Sequence, residues 1–417
     1  MFENSSYYII PTEVKDIKKM KKFLTSSDEW TKENAFNINY LFNYAADIAR
    51  DDLFSETFIY RNPSSFNIYM FEKECQANES PVIDEIRLVL FATGIAFLEF
   101  KVNYGNMAIE QIVNFAYEFK KADRADSNRH IDIGNKISLY TAACRILPEE
   151  STSAKLFFTA VSKFKYQTIC FHMLLDSNNE LTESDTKKYA FLLKRSYKTS
   201  FMYNENNDTS KYDMTYNPYD YTHWAGSQEG LVCICNLTGN NTTDYFLKNF
   251  QYNHLCNDYH FMYLMLLNQR FSAIKYINDI AKAKTDDNAS TEQLNQKIIE
   301  LKTRYTFHVI SDEMIYQHVY SEMYSILDID KLLDDIAENN EKLEMLNGIN
   351  AAKTGRITER FLIAISILSL FSALIDSADY FDRLPFVSSI STPISFIIIA
   401  VTVIIYTIGY FRTKKKK

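Results

Sequence analysis

Two short tracts carry the residue types that a phosphate-bearing aromatic ligand needs. Lys194, Arg195 and Lys198 gather positive charge in an otherwise acidic body, as such a ligand requires. The alternative is the solvated last turn of a helix, where the helix dipole favours cations. Residues 222–230 read THWAGSQEG and hold Trp224, one of two tryptophans, together with Ser227, Gln228 and Glu229. A loop of this make-up stacks a purine on its indole and offers amide and hydroxyl groups to base edges. The alternative is a core Trp224. An ammonium group on the ligand would want a carboxylate nearby, for which Glu229 and Asp258 are the candidates.

Other chemistry is thinly supported. Cys233, Cys235, His254, Cys256 and His260 put soft ligands close together, but Cys-x-Cys within LVCICN reads as a strand and not as a zinc knuckle. Buried structural thiols are the expectation, and no metal site or cofactor is assigned. Cys75, Cys144 and Cys170 are scattered and follow no secretory leader. Phosphate-cradling, dinucleotide, zincin and nucleophile-elbow motifs are all absent, so the reading is a non-enzyme.

These residues need elements to position them, and residues 1–255 read as a mixed α/β domain. Strands are expected at Tyr7–Ile10, Phe66–Phe71, Ile86–Phe91, Ile95–Val102, Lys155–Ala160, Gln167–Met173 and Gly230–Asn236. Helices are expected at Met107–Lys121 and Ser184–Lys198. Polar tracts at 176–185 and 204–213 read as loops. Residues 256–356 are helix-rich: Asp258–Lys284 is apolar and periodic, and Thr291–His308 resumes after a break. From Asp312 onward there is no proline and only Gly348 and Gly355, which reads as one long helix.

The end of the chain differs in composition. From Phe361 there are 6 Lys and Arg against 3 Asp and Glu, which leaves 39 against 50 in the first 360 residues. So acidic a body argues against direct binding of nucleic acid. Phe361–Ile375 and Ile394–Phe411 are apolar runs, expected to be membrane spans at about 357–384 and 394–411 of a 357–417 membrane domain. Lys353, Arg356, Arg360 and the terminal lysines flank them, whereas the connecting loop is acidic, so both termini are expected in the cytoplasm.

A 3.5-residue period runs along the long helix through Asp330, Asp334, Ala337, Glu341, Glu344, Gly348 and Ala351. The same phase continues through Gly355, Thr358, Leu362, Ile365, Ser369, Ser372, Asp376 and Asp379. Ile329, Leu332, Ile336, Leu343 and Leu346 form an apolar face opposite. Helices that hold a heptad phase wrap an axis, so Gly355 to Asp379 is read as pore lining. Ordinary helix packing by the small residues is the alternative.

A soluble body, a long helix entering a first span, a short outer loop, a second span and a polybasic end together resemble the CorA family of two-span divalent-cation channels. The resemblance covers about Asp258–Lys417. The family's Gly-Met-Asn signature is missing: the corresponding place reads LIDSADYF. Its layout is similar to the CorA-like effectors that accompany type III CRISPR systems. That resemblance implies an α+β cytosolic domain, a helical stalk and two C-terminal transmembrane helices in a prokaryotic inner membrane. It also implies a homo-oligomer, pentameric in the family, opened by a messenger that joins S-adenosylmethionine to AMP, with a divalent cation as a possible permeant ion. A magnesium-type channel of the same family is the second expectation, and a tethered scaffold without conductance the third.

Overall fold

The computed structural model describes residues 2–34, 36–63, 81–121, 146–148, 152–153, 168–204, 213–283 and 288–381. Its framework is one mixed sheet of ten strands among the described residues. They are β1 (Ser5–Val14), β2 (Trp30–Lys32), β3 (Ser55–Tyr60), β4 (Val82–Phe91), β5 (Ile95–Asn103), β6 (Thr152–Ser153), β7 (Ile169–Asp176), β8 (Met214–Tyr219), β9 (Thr222–Ser227) and β10 (Gly230–Asn236). The order is β2-β3-β4-β5-β1-β7-β10-β9-β8, with β6 paired to β1. All pairings are antiparallel except β7 with β10.

The helices are α1 (Ile17–Ser26), α2 (Asn43–Arg50), α3 (Ile109–Lys121), α4 (Glu183–Arg195), α5 (Asn241–Phe246), α6 (His260–Lys282), α7 (Asn288–Glu300), α8 (Met314–Ile326) and α9 (Ile329–Phe381). Both faces of the sheet are covered. Tyr8, Leu98 and Phe100 share a core with Ile112 and Phe119 of α3 and Leu192 of α4. On the opposite face Phe97 meets Phe271 and Phe171 meets Tyr263, both on α6. Double coverage explains why β7 and β10 read as nearly unbroken apolar runs instead of alternating ones.

Several expected elements are present: β4 and β5 across the Thr93-Gly94 turn, with Gly94 at φ +82°, and β7, β10, α3 and α4. The expected strands Phe66–Phe71 and Lys155–Ala160 lie outside the described residues. THWAGS is not a loop but strand β9, because its side chains are buried from Thr222 to Ser227. At Gly226 a Cβ would meet the Met323 sulfur of α8, so the methionine side chain packs directly against the glycine of the strand. The long helix expected from Asp312 is broken. Leu327 leaves helical geometry, and Asp328 takes a left-handed backbone at φ +53°, a conformation that aspartate tolerates better than most residues.

The chain divides into two compact units, Met1–Ala283 with Ala289–Glu341, and Lys284–Asn288 with Lys342–Lys417. In the first, Ile329 and Ile336 of the expected apolar face are buried and Leu332 is half-buried, with Leu333 buried beside them, whereas Asp330, Asp334 and Ala337 are exposed. In the second, α9 exposes Leu346, Ile349, Ile357, Phe361, Leu362, Ile363 and Ile365.

The membrane expectation is corrected. Among the described residues no helix is long and apolar enough to cross a membrane. The first run, Phe361–Ile375, lies between Glu359-Arg360 and the acidic Asp376 and Asp379, and it falls short of the roughly 20 apolar residues a span needs. The second run, 394–411, lies outside the described residues. The fold is therefore α+β, a mixed sheet with helices. The two transmembrane helices of the expected CorA-like fold class, the membrane assignment and the inner-membrane localisation are withdrawn.

Candidate functional site

α4 begins at a capping box: the Thr182 side chain accepts from the Asp185 amide, and Asp185 accepts from the Thr182 amide. It ends on Lys194 and Arg195, which suit the negative end of the helix dipole. Neither charge is left open. Arg195 donates twice to the buried Asp213 carboxylate, at 2.7 and 2.6 Å, and the buried Lys194 ammonium lies 3.8 Å from it. Burial acts to lower the Arg195 pKa, but its bonds to Asp213 outweigh that and raise it. Lys198 forms an ion pair with Glu118 of α3. The basic tract is thus an internally neutralised seam between α3, α4 and β8.

Trp224 is fully buried and meets the Tyr259 ring at 4.6 Å, so its indole occupies the core. Asp258 is buried as well, and one of its oxygens accepts the backbone N–H groups of Asn39 and Tyr40 at 2.8 and 2.9 Å. Of the soft-ligand cluster, Cys233 and Cys235 face each other at 3.9 Å, Cys256 contacts the Met173 sulfur, and His260 bonds Glu99 at 2.8 Å. Among the described residues no group of three or more potential metal ligands converges. Along α9, Gly355, Thr358, Leu362, Ile365 and Ser369 are exposed; Ser372, Asp376 and Asp379 lie farther along the same helix.

The remaining three expected residues, Ser227, Gln228 and Glu229, form one turn between β9 and β10, and this turn is the junction of the body. The Ser227 hydroxyl donates to the Lys194 carbonyl at 2.7 Å, tying the end of α4. Lys120 of α3 donates to Glu229 at 2.8 Å. Gln228 reaches the break between α8 and α9. Its amide nitrogen donates to the Ile326 carbonyl at 3.1 Å and to the Asp328 carboxylate at 3.0 Å.

Arg270 of α6 completes the grip, donating to the Leu327 carbonyl at 2.5 Å and to Gln228 Oε1 at 3.3 Å. Burial pulls the Arg270 pKa down, and Asp328 opposes that shift. Across the break the Tyr324 hydroxyl donates to Asp330 at 2.6 Å. Carbonyls left over where a helix stops need partners, and here side chains of the sheet turn and of α6 supply them. Sequence reasoning missed Arg270 and Asp328. The signal for Arg270 was a cation set directly after the apolar run His260–Leu267 of α6, where a charge drawn out of water needs a partner.

A second buried polar chain lies on the α3 face. Tyr104 donates to Ser6 Oγ at 2.9 Å, and Ser6 Oγ lies 2.6 Å from His172 Nδ1. Tyr8, 2.9 Å from the Tyr104 oxygen, is then the donor to it. Burial, helped by Lys120, pushes the His172 pKa down to about 3, so the imidazole is neutral.

No protein-family model matches the chain, and no curated protein shows significant similarity to it.

Proposed function

We propose that the protein is a nucleotide-responsive relay: the sheet body binds a nucleotide messenger, and its bound state is passed to α9. The observation that carries this reading is the grip of Gln228 and Arg270 on Ile326, Leu327 and Asp328. One sheet turn thereby holds α3, α4 and the start of α9, so a rearrangement of the body acts at the hinge of the long helix. Such a ligand shifts the two arrangements only by its differential affinity for them. The nucleotide class comes from the sequence resemblance alone and not from the fold, whose two expected spans are withdrawn; the relay rests on the Gln228–Arg270 grip, and the exchange experiment below tests the ligand class. Self-association of copies through the exposed apolar part of α9 belongs to the same proposal. Ion conduction does not, since the spans it needs are not found among the described residues.

The test is hydrogen exchange of the full-length protein with and without the S-adenosylmethionine–AMP conjugate. A change in protection at the amides of residues 326–332 is expected. Binding of the conjugate with unchanged exchange there would contradict the relay.

A further inference from the structure

Aromatic side chains from three parts of the chain gather at one surface of the body. In the helical run ahead of α6, Phe250 lies 5.8 Å from Tyr245 and 6.2 Å from Phe246, and Phe246 lies 6.1 Å from His254. His254 meets Tyr40 at 4.8 Å, and Tyr40 stacks on Tyr316 of α8 at 5.4 Å and 7°. Tyr44, at the start of α2, donates its hydroxyl to the Val309 carbonyl and sets its ring 5.0 Å from Phe307. Met314 opens α8, two residues before Tyr316. Tyr40, Tyr44, Tyr245, Phe246 and Phe250, with Val309 and Met314, are each between 39% and 74% exposed.

Aromatic side chains carry about 150–250 Å² each, so the open parts of these residues amount to roughly 600 Å². The largest apolar patch of a monomer is about 300–600 Å², and one of that size is often functional. With a polar rim added, this patch approaches the roughly 800 Å² that each partner buries in a standard protein interface. Its backing is fixed. Asp258 accepts the backbone N–H groups of Asn39 and Tyr40, and the Ser311 hydroxyl donates to the Tyr40 carbonyl at 2.6 Å. Tyr316 stacks in turn on Tyr259 at 4.1 Å and 11°. The polar backbone groups of the Tyr40 loop are thus bonded inward, and a surface already held in one arrangement loses little freedom on docking.

The segments that build the patch are acidic. Residues 40–51, 241–250 and 309–316 carry Asp47, Asp51, Asp244, Asp312 and Glu313 against Arg50 and Lys248. Hydrogen bonds from Thr238 and Gly239 hold the Asp244 carboxyl below the usual carboxylate range, so it stays charged. Two such faces brought together would set carboxylate against carboxylate, which disfavours a second copy, and an anionic lipid surface is repelled for the same reason. None of the patch residues lies on a strand, so an extended peptide finds no sheet edge to pair with. We infer that the patch docks an amphipathic helix of a partner protein, with apolar residues on the face it buries and lysine or arginine beside them. The inference is independent of the nucleotide reading.

The patch also touches the relay. It reaches the first turn of α8 at Met314 and Tyr316, and α8 is the helix whose other end Gln228 and Arg270 hold.

The experiment is fluorescence anisotropy of a labelled helical peptide, leucine on one face and lysine on the other, titrated with the full-length protein. A second peptide carries glutamate in place of every lysine. The lysine peptide should bind, and the glutamate peptide roughly tenfold more weakly or not at all. Phe246→Ala with Phe250→Ala should weaken the lysine peptide by roughly tenfold, as loss of aromatic anchors does, and because both rings are exposed the thermal unfolding curve should not move. Asp312→Asn with Glu313→Gln should weaken it about threefold at low salt and have no effect at high salt. Met202→Ala, a 99% exposed side chain outside these segments, should change nothing. Failure of the lysine peptide to bind, equal binding of the glutamate peptide, or binding unchanged by the aromatic double substitution would overturn the inference. So would a dimer in sedimentation, or capture by phosphatidylcholine vesicles, that the same double substitution abolishes, since the occupant would then be a second copy or a lipid surface. No nucleotide enters these measurements, so their failure leaves the relay standing.

Discussion

Two regions of the body differ in composition and are opposite in state. The basic tract at the end of α4 and the Trp224 strand hold the ligand-type chemistry of the sequence, yet Lys194, Arg195 and Lys198 face Asp213 and Glu118, and Trp224 is core. The aromatic cluster of Tyr245, Phe246 and Phe250 carries no basic cluster and no tryptophan, yet its rings are 62%, 40% and 49% exposed. Residue type alone therefore does not mark a site. What separates the two regions is whether the fold has already supplied each group's partner.

Substitutions can break this comparison, because the closed region should respond in stability and the open one in binding. The largest effect is expected for Trp224→Ala, which empties a fully buried indole volume and should cost about 3–5 kcal/mol in chemical denaturation. Asp213→Asn removes the buried partner of Arg195 and Lys194 and should cost about 3 kcal/mol by the same measurement. If either change left stability intact while abolishing nucleotide binding, the basic tract would be the site after all. Gln228→Ala leaves the Ile326 carbonyl and Arg270 short of partners and should cost about 1–3 kcal/mol. It should also raise hydrogen exchange at residues 326–332.

A pH series sharpens the account of the buried chain on the α3 face. His172 titrates near 3 in the folded protein against an ordinary value of 6.5, so between those values the unfolded chain binds a proton that the folded chain does not. Its contribution is complete above pH 6.5 and declines as pH falls toward 3, by up to about 1.4 kcal/mol per pH unit. Denaturation curves between pH 7 and pH 4 should therefore fall less steeply for His172→Gln than for the wild type. The smallest stability effect, within about 0.5 kcal/mol, is expected for Phe246→Ala, whose ring is at the surface.

The sequence shows the central strands well because their physics is local. Val82–Phe91 and Ile95–Asn103 pair through a Thr-Gly turn, and the unbroken apolar runs of β7 and β10 fit a sheet covered on both faces. The short outer strands β2 and β8 lack such runs and depend on their neighbours. The break at Asp328 was hidden for a related reason. Nothing in the stretch ILDID stops a helix by itself, and the partners that stabilise the stop, Gln228 and Arg270, are about 100 and 57 residues away. The turn Ser227–Glu229 was legible as polar, but its partners, the Lys194 and Ile326 carbonyls, Lys120 and Asp328, lie far off in sequence and were not. The aromatic cluster was illegible for a geometric reason: two π-helical segments, Leu247–Gln251 and Leu255–Tyr259, interrupt the helix, and Phe246 ends as close to His254 as to Phe250.

The most direct test of the contrast between the closed tract and the open aromatic cluster is hydroxyl-radical footprinting of the full-length chain, followed by peptide mapping. The account predicts modification at Tyr245, Phe246 and Phe250 and protection of Trp224. Modification of Trp224, with none at residues 245–250, would contradict it.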